Sequence, residues 1–206
     1  MPITSLAHQL EEAILRLGHV PAVGMGSSPP LCLVKASNHP LHPAEPALDA
    51  LRTSAAPVLY APHYEPRPGA LLRIFAPVDF LRGTEPVLAW IRELAATLPA
   101  EVVLGTVVKP PKALGELESL VDDATRALAV HARNAGFGGE LVGVRVLEGD
   151  KVADRILAQA KEDQCDVIVM ASHGKDAIAR FFVGSTTESL LKMADRPVLV
   201  LRRAPR

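Results

Sequence analysis

Cys165-Asp-Val-Ile-Val-Met-Ala-Ser-His-Gly174 opens the stretch that decides the fold of this chain of 206 residues. Within it, Val167 to Met170 is an unbroken apolar run, which is typical of a strand buried on both faces of a parallel sheet. After nine further residues the chain reaches Gly184-Ser185, and the Ser-x-x-Glu spacing from Ser185 to Glu188 predicts a capping box at the start of a helix. Backbone N–H groups at a helix start hold anions, so the loop between strand and helix is a candidate phosphate site.

This stretch resembles the carboxyl-terminal signature of the universal stress proteins. The nucleotide-binding members of that family carry Gly, two residues, Gly, nine residues, and then Gly followed by Ser or Thr. The string here is Ala171-x-x-Gly174, nine residues, and Gly184-Ser185. Ala171 therefore stands where the first glycine usually lies, and its methyl group occupies space where backbone approaches the ligand. The resemblance covers residues 70–202.

The resemblance implies a site for ATP, alone or with Mg²⁺. Asp79 is the third residue of a Pro-Val-Asp-Phe string, 77–80, that looks like the end of the family's first strand, where the aspartate contacts adenine. Backbone near Val107 would assist it, with the Val107 side chain in the core. The other implied contacts lie at the strand end, in the glycine loop and at the helix start: Met170, Ala171, His173, Gly174, Gly184, Ser185 and Thr186.

Several of these residues also have a structural interpretation. A carboxylate such as Asp79 at a strand end is often a solvated turn residue or a helix cap. Gly184 and Ser185 fit a loop turn and a cap, and a cap would compete with phosphate for the same N–H groups.

Alternating strands and helices predict a parallel α/β sheet. Apolar runs predict strands over residues 71–78, 101–108 and 141–147, with Gly105 weakening the second. A long helical pattern covers residues 114–135. The implied fold is an open five-stranded parallel sheet of order 3-2-1-4-5 with helices on both faces. Its strand order reverses beside the strand that ends at Asp79, and ligands of such sheets bind at that point.

The domain predicted for residues 70–206 follows a proline-rich linker at 62–69. Residues 1–61 are interpreted as a partial, degenerate copy of the domain's last part, in the order helix, strand, helix, strand. Its first helix is predicted at 6–17, and Pro57-Val-Leu59 follows a short helix much as Pro197-Val-Leu199 does. An unrelated extension is the alternative.

The resemblance also implies a mode of assembly. Family members pair through their last strands, antiparallel across a two-fold axis. Residues 57–61 could pair with 197–201 within one chain, which would mimic that dimer. Alternatively, residues 198–201 meet their counterparts in a second chain as a homodimer.

Composition excludes several functional classes. The apolar fraction of 49% supports a sizeable core, and a net charge of −1 without a basic block does not predict nucleic-acid binding. The sequence contains no run of 18 apolar residues, so no membrane span is predicted. The amino terminus lacks the pattern of a secretory signal. A cytoplasmic protein is therefore expected. Cys32 and Cys165 flank apolar runs and are expected to be reduced thiols.

No motif predicts strong catalysis. His173 has no serine or acid partner in the order of a catalytic triad, and His39 and His42 lack further metal ligands. The family generally lacks a strong metabolic activity, so weak ATP hydrolysis is the most that is expected. Two hypotheses remain: an ATP-binding stress-response or signalling module, and a protein-interaction module with an empty crevice, acting mainly by dimerisation. Ala171 and the pair Phe181-Phe182 motivate the second.

Overall fold

The computed structural model describes residues 6–17, 32–35, 43–54, 56–66, 70–80, 84–111, 115–172 and 183–202. Helices and strands alternate through these residues, as the sequence pattern predicts. In chain order they are α1 (Leu6–Leu17), β1 (Cys32–Lys35), α2 (Glu45–Thr53), β2 (Val58–Ala61), β3 (Leu72–Pro77), α3 (Thr84–Thr97), β4 (Ala100–Val108), α4 (Glu116–Asn134), β5 (Leu141–Glu148), α5 (Val152–Glu162), β6 (Val167–Ser172), α6 (Ser185–Met193) and β7 (Val198–Arg202).

All described strands join one sheet in the order β1-β2-β7-β6-β3-β4-β5. Neighbouring strands are parallel except at the contact between β2 and β7. The strands that follow the linker run β5-β4-β3-β6-β7 when the sheet is read from its other edge. The predicted five-stranded sheet is too small, because two strands of the leading segment extend it to seven.

The antiparallel contact of β2 with β7 joins the two ends of the described chain. The paired residues are Val58 with Val200, Leu59 with Leu199, and Tyr60 with Val198. This is the within-chain alternative of the predicted pairing between residues 57–61 and 197–201. Since β6 occupies the other side of β7, the strand has no open edge for a second copy of the chain. The homodimer formed through residues 198–201 is therefore not compatible with this arrangement.

The core has two halves, one on each face of the sheet. Side chains of α1, α3 and α4 form one half with the inward residues of the strands. Side chains of α2, α5 and α6 form the other. We call these the α3–α4 face and the α5–α6 face. Burial of apolar strand and helix faces on both sides stabilises such a three-layer arrangement.

Helix α1 departs from the repeat that the sequence suggests. In a copy of the last part of the domain, α1 would correspond to α5 and would lie on the α5–α6 face. Instead, Leu6, Leu10 and Ile14 pack into the core half that contains α3 and α4. The likeness between the two ends of the chain is therefore limited to β1, α2 and β2.

A polar cluster closes the sheet at the amino ends of its central strands. The Asp166 side chain is 1% exposed and its Oδ2 accepts a hydrogen bond of 2.8 Å from the Arg73 N–H. Its Oδ1 accepts a hydrogen bond of 3.0 Å from Tyr64, which belongs to the predicted linker. Arg196 lies over the Tyr64 ring, with its guanidinium carbon 5.8 Å from the ring centroid. These contacts attach the linker to the sheet.

Candidate functional site

A cleft lies at the carboxyl ends of β3 and β6, where the order of the strands reverses. From β3 the chain continues to β4 on one side, whereas β6 lies on the other side. The cleft opens to solvent, and its cavity volume is about 20 Å³. Residues from three elements and one turn line it: Pro77, Val78, Asp79, Thr84, Val87, Leu88, Ile91 and Ala171.

The end of β3 places Asp79 at the rim. Pro77 has no N–H, and the last hydrogen bond toward β4 is donated by the Val78 N–H to the Gly105 carbonyl at 2.7 Å. The chain then leaves the sheet through Asp79, whose side chain is exposed, and Phe80, which has a φ of +57°. The carboxylate therefore stands at the mouth of the cleft.

Helix α3 forms the apolar wall of the cleft. Val87, Leu88 and Ile91 are buried and share one side of the helix because their spacing follows its period. Thr84 contributes a buried hydroxyl at the first turn. An apolar wall with a few polar groups at one end is the usual composition of a small-molecule site.

Two of the predicted site residues meet in this cleft and two others do not line it. Asp79 and Ala171 lie on its lining, although they are far apart in sequence. Val107 and Met170 instead pack into the core on the α5–α6 face. For Val107 this agrees with the prediction that its side chain belongs to the core. His173 and Gly174 lie outside the described residues.

The start of α6 differs from the predicted capping box. Gly184 is the N-cap residue, Ser185 is the first residue of the helix, and no side chain caps it. The Glu188 N–H donates to the Gly184 carbonyl at 2.9 Å, which is the first hydrogen bond of the helix. The Glu188 carboxylate accepts a hydrogen bond of 2.6 Å from Lys192, and this contact lowers the pKa of Glu188. The capping-box prediction is therefore wrong, because Glu188 lies one position too far into the helix.

The sequence predicts that a side-chain cap competes with phosphate for the backbone N–H groups at the start of α6, and the structure shows no such cap. With no side-chain cap, Ser185 and Thr186 contribute backbone N–H groups in the first turn of α6. The acidic charge that would oppose an anion is paired with Lys192 one turn further along. The helix start is thus more favourable to an anion than the sequence suggested.

A side chain that the sequence did not indicate lies beside the cleft. His131 of α4 stacks on the ring of Phe80 with the centroids 5.6 Å apart and the planes 20° from parallel. Its buried Nδ1 lies 2.9 Å from Glu85 Oε1, although no hydrogen bond is formed there. No sequence signal marks His131, since α4 reads as an ordinary amphipathic helix.

Other reactive groups in the described residues form no second site. Cys165 lies buried before β6, and burial raises the pKa of its thiol to about 12, so it stays protonated at neutral pH. Cys32 and Cys165 are not joined in a disulfide. Among the described residues there is no cluster of three or more side chains suited to a metal ion. Nor is any described helix long and apolar enough to cross a bilayer.

The fold and the cleft together define an α/β protein of the kind that binds a ligand where the strand order reverses. A family model described as the universal stress protein family matches residues 71–202. This match covers more than half of the chain. The chain therefore belongs to the universal stress protein family.

Individual relatives are similar over different lengths. The chain is 38% identical over 50 residues to universal stress protein MJ0577 of Methanocaldococcus jannaschii, which covers 24% of this chain and 31% of that protein. The match therefore spans less than a third of this relative's own length. The functionally unknown protein PA1789 from Pseudomonas aeruginosa PAO1 aligns with a TM-score of 0.64 at 20% identity, covering 97% of this chain and 69% of that chain. A universal stress protein in complex with cAMP aligns with a TM-score of 0.50 at 19% identity, covering 65% of this chain and 98% of that chain.

Proposed function

We propose that the chain is a universal stress protein module that binds an adenine nucleotide, ATP, in the cleft between β3, β6 and α3. The observation that carries this proposal is the position of Asp79 at the mouth of a cleft with an apolar wall, at the point where the strand order reverses. A fold neighbour solved in complex with cAMP supports a nucleotide as the ligand class.

The proposed orientation follows from the chemistry of the lining. The adenine ring lies against the apolar side of α3, and Asp79 accepts hydrogen bonds from the exocyclic amine or the ribose. The phosphates extend toward the start of α6, where the N–H groups after Gly184 receive them. His173 and Gly174 remain predicted phosphate contacts. Mg²⁺ would be held through the phosphates and water, as it commonly is beside nucleotides.

The proposed activity is regulated binding and not rapid turnover. The described lining is mainly apolar and contains no histidine, cysteine or lysine. We therefore propose a stress-response or signalling role in which bound ATP is hydrolysed slowly at most.

Calorimetric titration with ATP and Mg²⁺ tests the proposal. Wild-type protein is expected to bind, and Asp79→Asn is expected to weaken binding about tenfold or more, because a hydrogen bond to a charged group contributes roughly 1.5–3 kcal/mol. Asp122→Asn is the matched control, since Asp122 is an exposed carboxylate on α4 outside the cleft lining. Absence of binding at millimolar ATP, with no nucleotide released on heating the purified protein, would refute the proposal.

An interaction module without nucleotide is the second candidate function. It is favoured by Ala171, whose methyl group lies on the cleft lining where the family's binding members have glycine. Ala171→Gly separates the two functions. If the methyl group restricts a true nucleotide site, this change strengthens ATP binding. If the protein has no nucleotide site, the variant binds no ATP, like the wild type.

A further inference from the structure

The turn that carries Asp79 has an unfavourable backbone conformation. Phe80 has a φ of +57°, a region that bulky residues other than glycine rarely adopt. Such a conformation is unfavourable and persists only where the surroundings hold it. The direction in which Asp79 enters the cleft therefore depends on what holds Phe80.

One side chain holds Phe80 from outside the turn. The imidazole of His131 stacks on the Phe80 ring at 5.6 Å between centroids. The His131 side chain is 19% exposed, and it lies near the end of α4, which packs against α3. Phe80 also packs against the core on the α3–α4 face, so its ring is held between the core and His131.

The same imidazole contacts the first turn of α3. Glu85 Oε1 lies 2.9 Å from His131 Nδ1, and Glu85 follows directly after Thr84 in the first turn of α3. Phe80 directly follows Asp79, and both Asp79 and Thr84 line the cleft. His131 thus connects the residue after Asp79 with the residue after Thr84, while it does not line the cleft itself.

We propose that His131 is a positioning residue of the nucleotide cleft, which fixes the Asp79–Phe80 turn relative to the first turn of α3. This inference rests on the proposed function for its effect on ligand binding. The effect on the turn itself is a property of the unliganded protein and is measured separately.

His131→Ala tests the proposal with two readouts. In the unliganded protein, amide hydrogen exchange of residues 78–80 is expected to become about tenfold faster, because the turn loses its outer support. In the nucleotide titration, the Kd for ATP is expected to rise about tenfold, because the carboxylate of Asp79 is no longer held in place. His131→Phe keeps an aromatic ring against Phe80 and is expected to restore most of the exchange protection.

Leu128→Ala separates positioning from stability. Leu128 is fully buried on the same helix in the same half of the core, so its truncation destabilises the protein while the His131 and Phe80 side chains are both kept. This control is expected to lower the melting temperature but to leave both readouts within about twofold of wild type.

The outcomes distinguish the two proposals. If wild-type protein binds no ATP, the proposed function fails, while exchange at residues 78–80 still decides whether His131 positions the turn. If His131→Ala leaves exchange at these residues unchanged, or if Leu128→Ala accelerates it equally, the positioning role is overturned.

Discussion

At the residue scale, Gly105 shows why a strand interior sometimes needs a glycine. The sequence predicts that it weakens β4, since glycine lacks a side chain to pack. In the structure, a Cβ at position 105 would overlap the ring of Phe75 on the neighbouring strand β3. The absence of a side chain therefore makes room for a buried aromatic ring at the centre of the sheet.

Gly105→Ala is expected to destabilise the protein by about 1–3 kcal/mol, because the added methyl group overpacks the site beside Phe75. Urea unfolding, followed by circular dichroism, measures this change. Gly139→Ala is the matched control, since a Cβ there meets no atom within 4 Å. The explanation is refuted if both variants have the same stability, or if adding Phe75→Leu does not recover part of the loss in Gly105→Ala.

The position of a single residue could be predicted from the sequence where a motif determines it. The role of a residue could not be predicted where it depends on a contact with a distant part of the chain. Asp79 and Ala171 were placed at the crevice because strand ends and strand order determine their positions, and the structure puts both on the cleft lining. Gly105 and His131 are important because of Phe75 and Phe80, which lie on other elements. No local pattern records such contacts.

At the scale of elements, the linker makes specific contacts with the sheet. Residues 62–69 are predicted to be a proline-rich linker between domains, yet Tyr64 donates a hydrogen bond to the buried carboxylate of Asp166. Arg196 lies over the same ring. Tyr64 thus fixes the described part of the linker, residues 62–66, against the amino ends of the central strands.

Tyr64→Phe is expected to destabilise the protein by about 1–3 kcal/mol, because a buried oxygen of Asp166 loses this donor while the ring is kept. Thermal unfolding measures the loss, and hydrogen exchange of residues 62–66 is expected to accelerate. Glu65→Gln changes an exposed neighbour in the same segment and serves as the control. Equal stabilities of the two variants would contradict the role given to Tyr64.

The helices and strands were predictable because their periodic patterns are long. The helix expected over residues 114–135 is found at Glu116–Asn134, and the strand expected over 141–147 is found at Leu141–Glu148. Helix starts were less predictable. The capping box at Ser185 failed because the helix begins at Ser185 itself, after Gly184. A shift of one residue in the start changes which side chain can reach the free N–H groups.

At the scale of the whole molecule, the contact between β2 and β7 makes a single sheet from the leading segment and the family domain. The ends of the chain share a short pattern that suggested this pairing. The position of α1 on the α3–α4 face was not predictable, because an amphipathic helix shows how much of its surface is apolar but not which face of a sheet it covers.

A cross-link tests the seam between β2 and β7. Leu59 and Leu199 lie directly opposite each other, and such antiparallel partners have Cα separations of about 4.5–5.5 Å, within the range for a disulfide. In a background of Cys32→Ser and Cys165→Ala, the variant Leu59→Cys/Leu199→Cys is expected to oxidise within one chain. Intact mass after alkylation and non-reducing electrophoresis identify a monomer that has lost two thiols.

Leu59→Cys/Leu104→Cys is the control for this cross-link. Leu104 is buried in the same half of the core but lies on β4, several strands away. This pair is expected to remain reduced. Disulfide-linked dimers of the Leu59→Cys/Leu199→Cys protein would instead show that the seam forms between two chains.

The seam also sets the order in which the molecule can be assembled on the ribosome. Strand β2 emerges long before β7, because every other strand from β3 to β6 is translated between them. Until β7 has been released, the backbone N–H and C=O groups on one edge of β2 lack their antiparallel partners. The edge of β2 in the leading segment therefore stays unpaired during synthesis. Contacts between such distant parts of a chain also form slowly. Completion of the sheet is thus a late event that depends on the synthesis of β7.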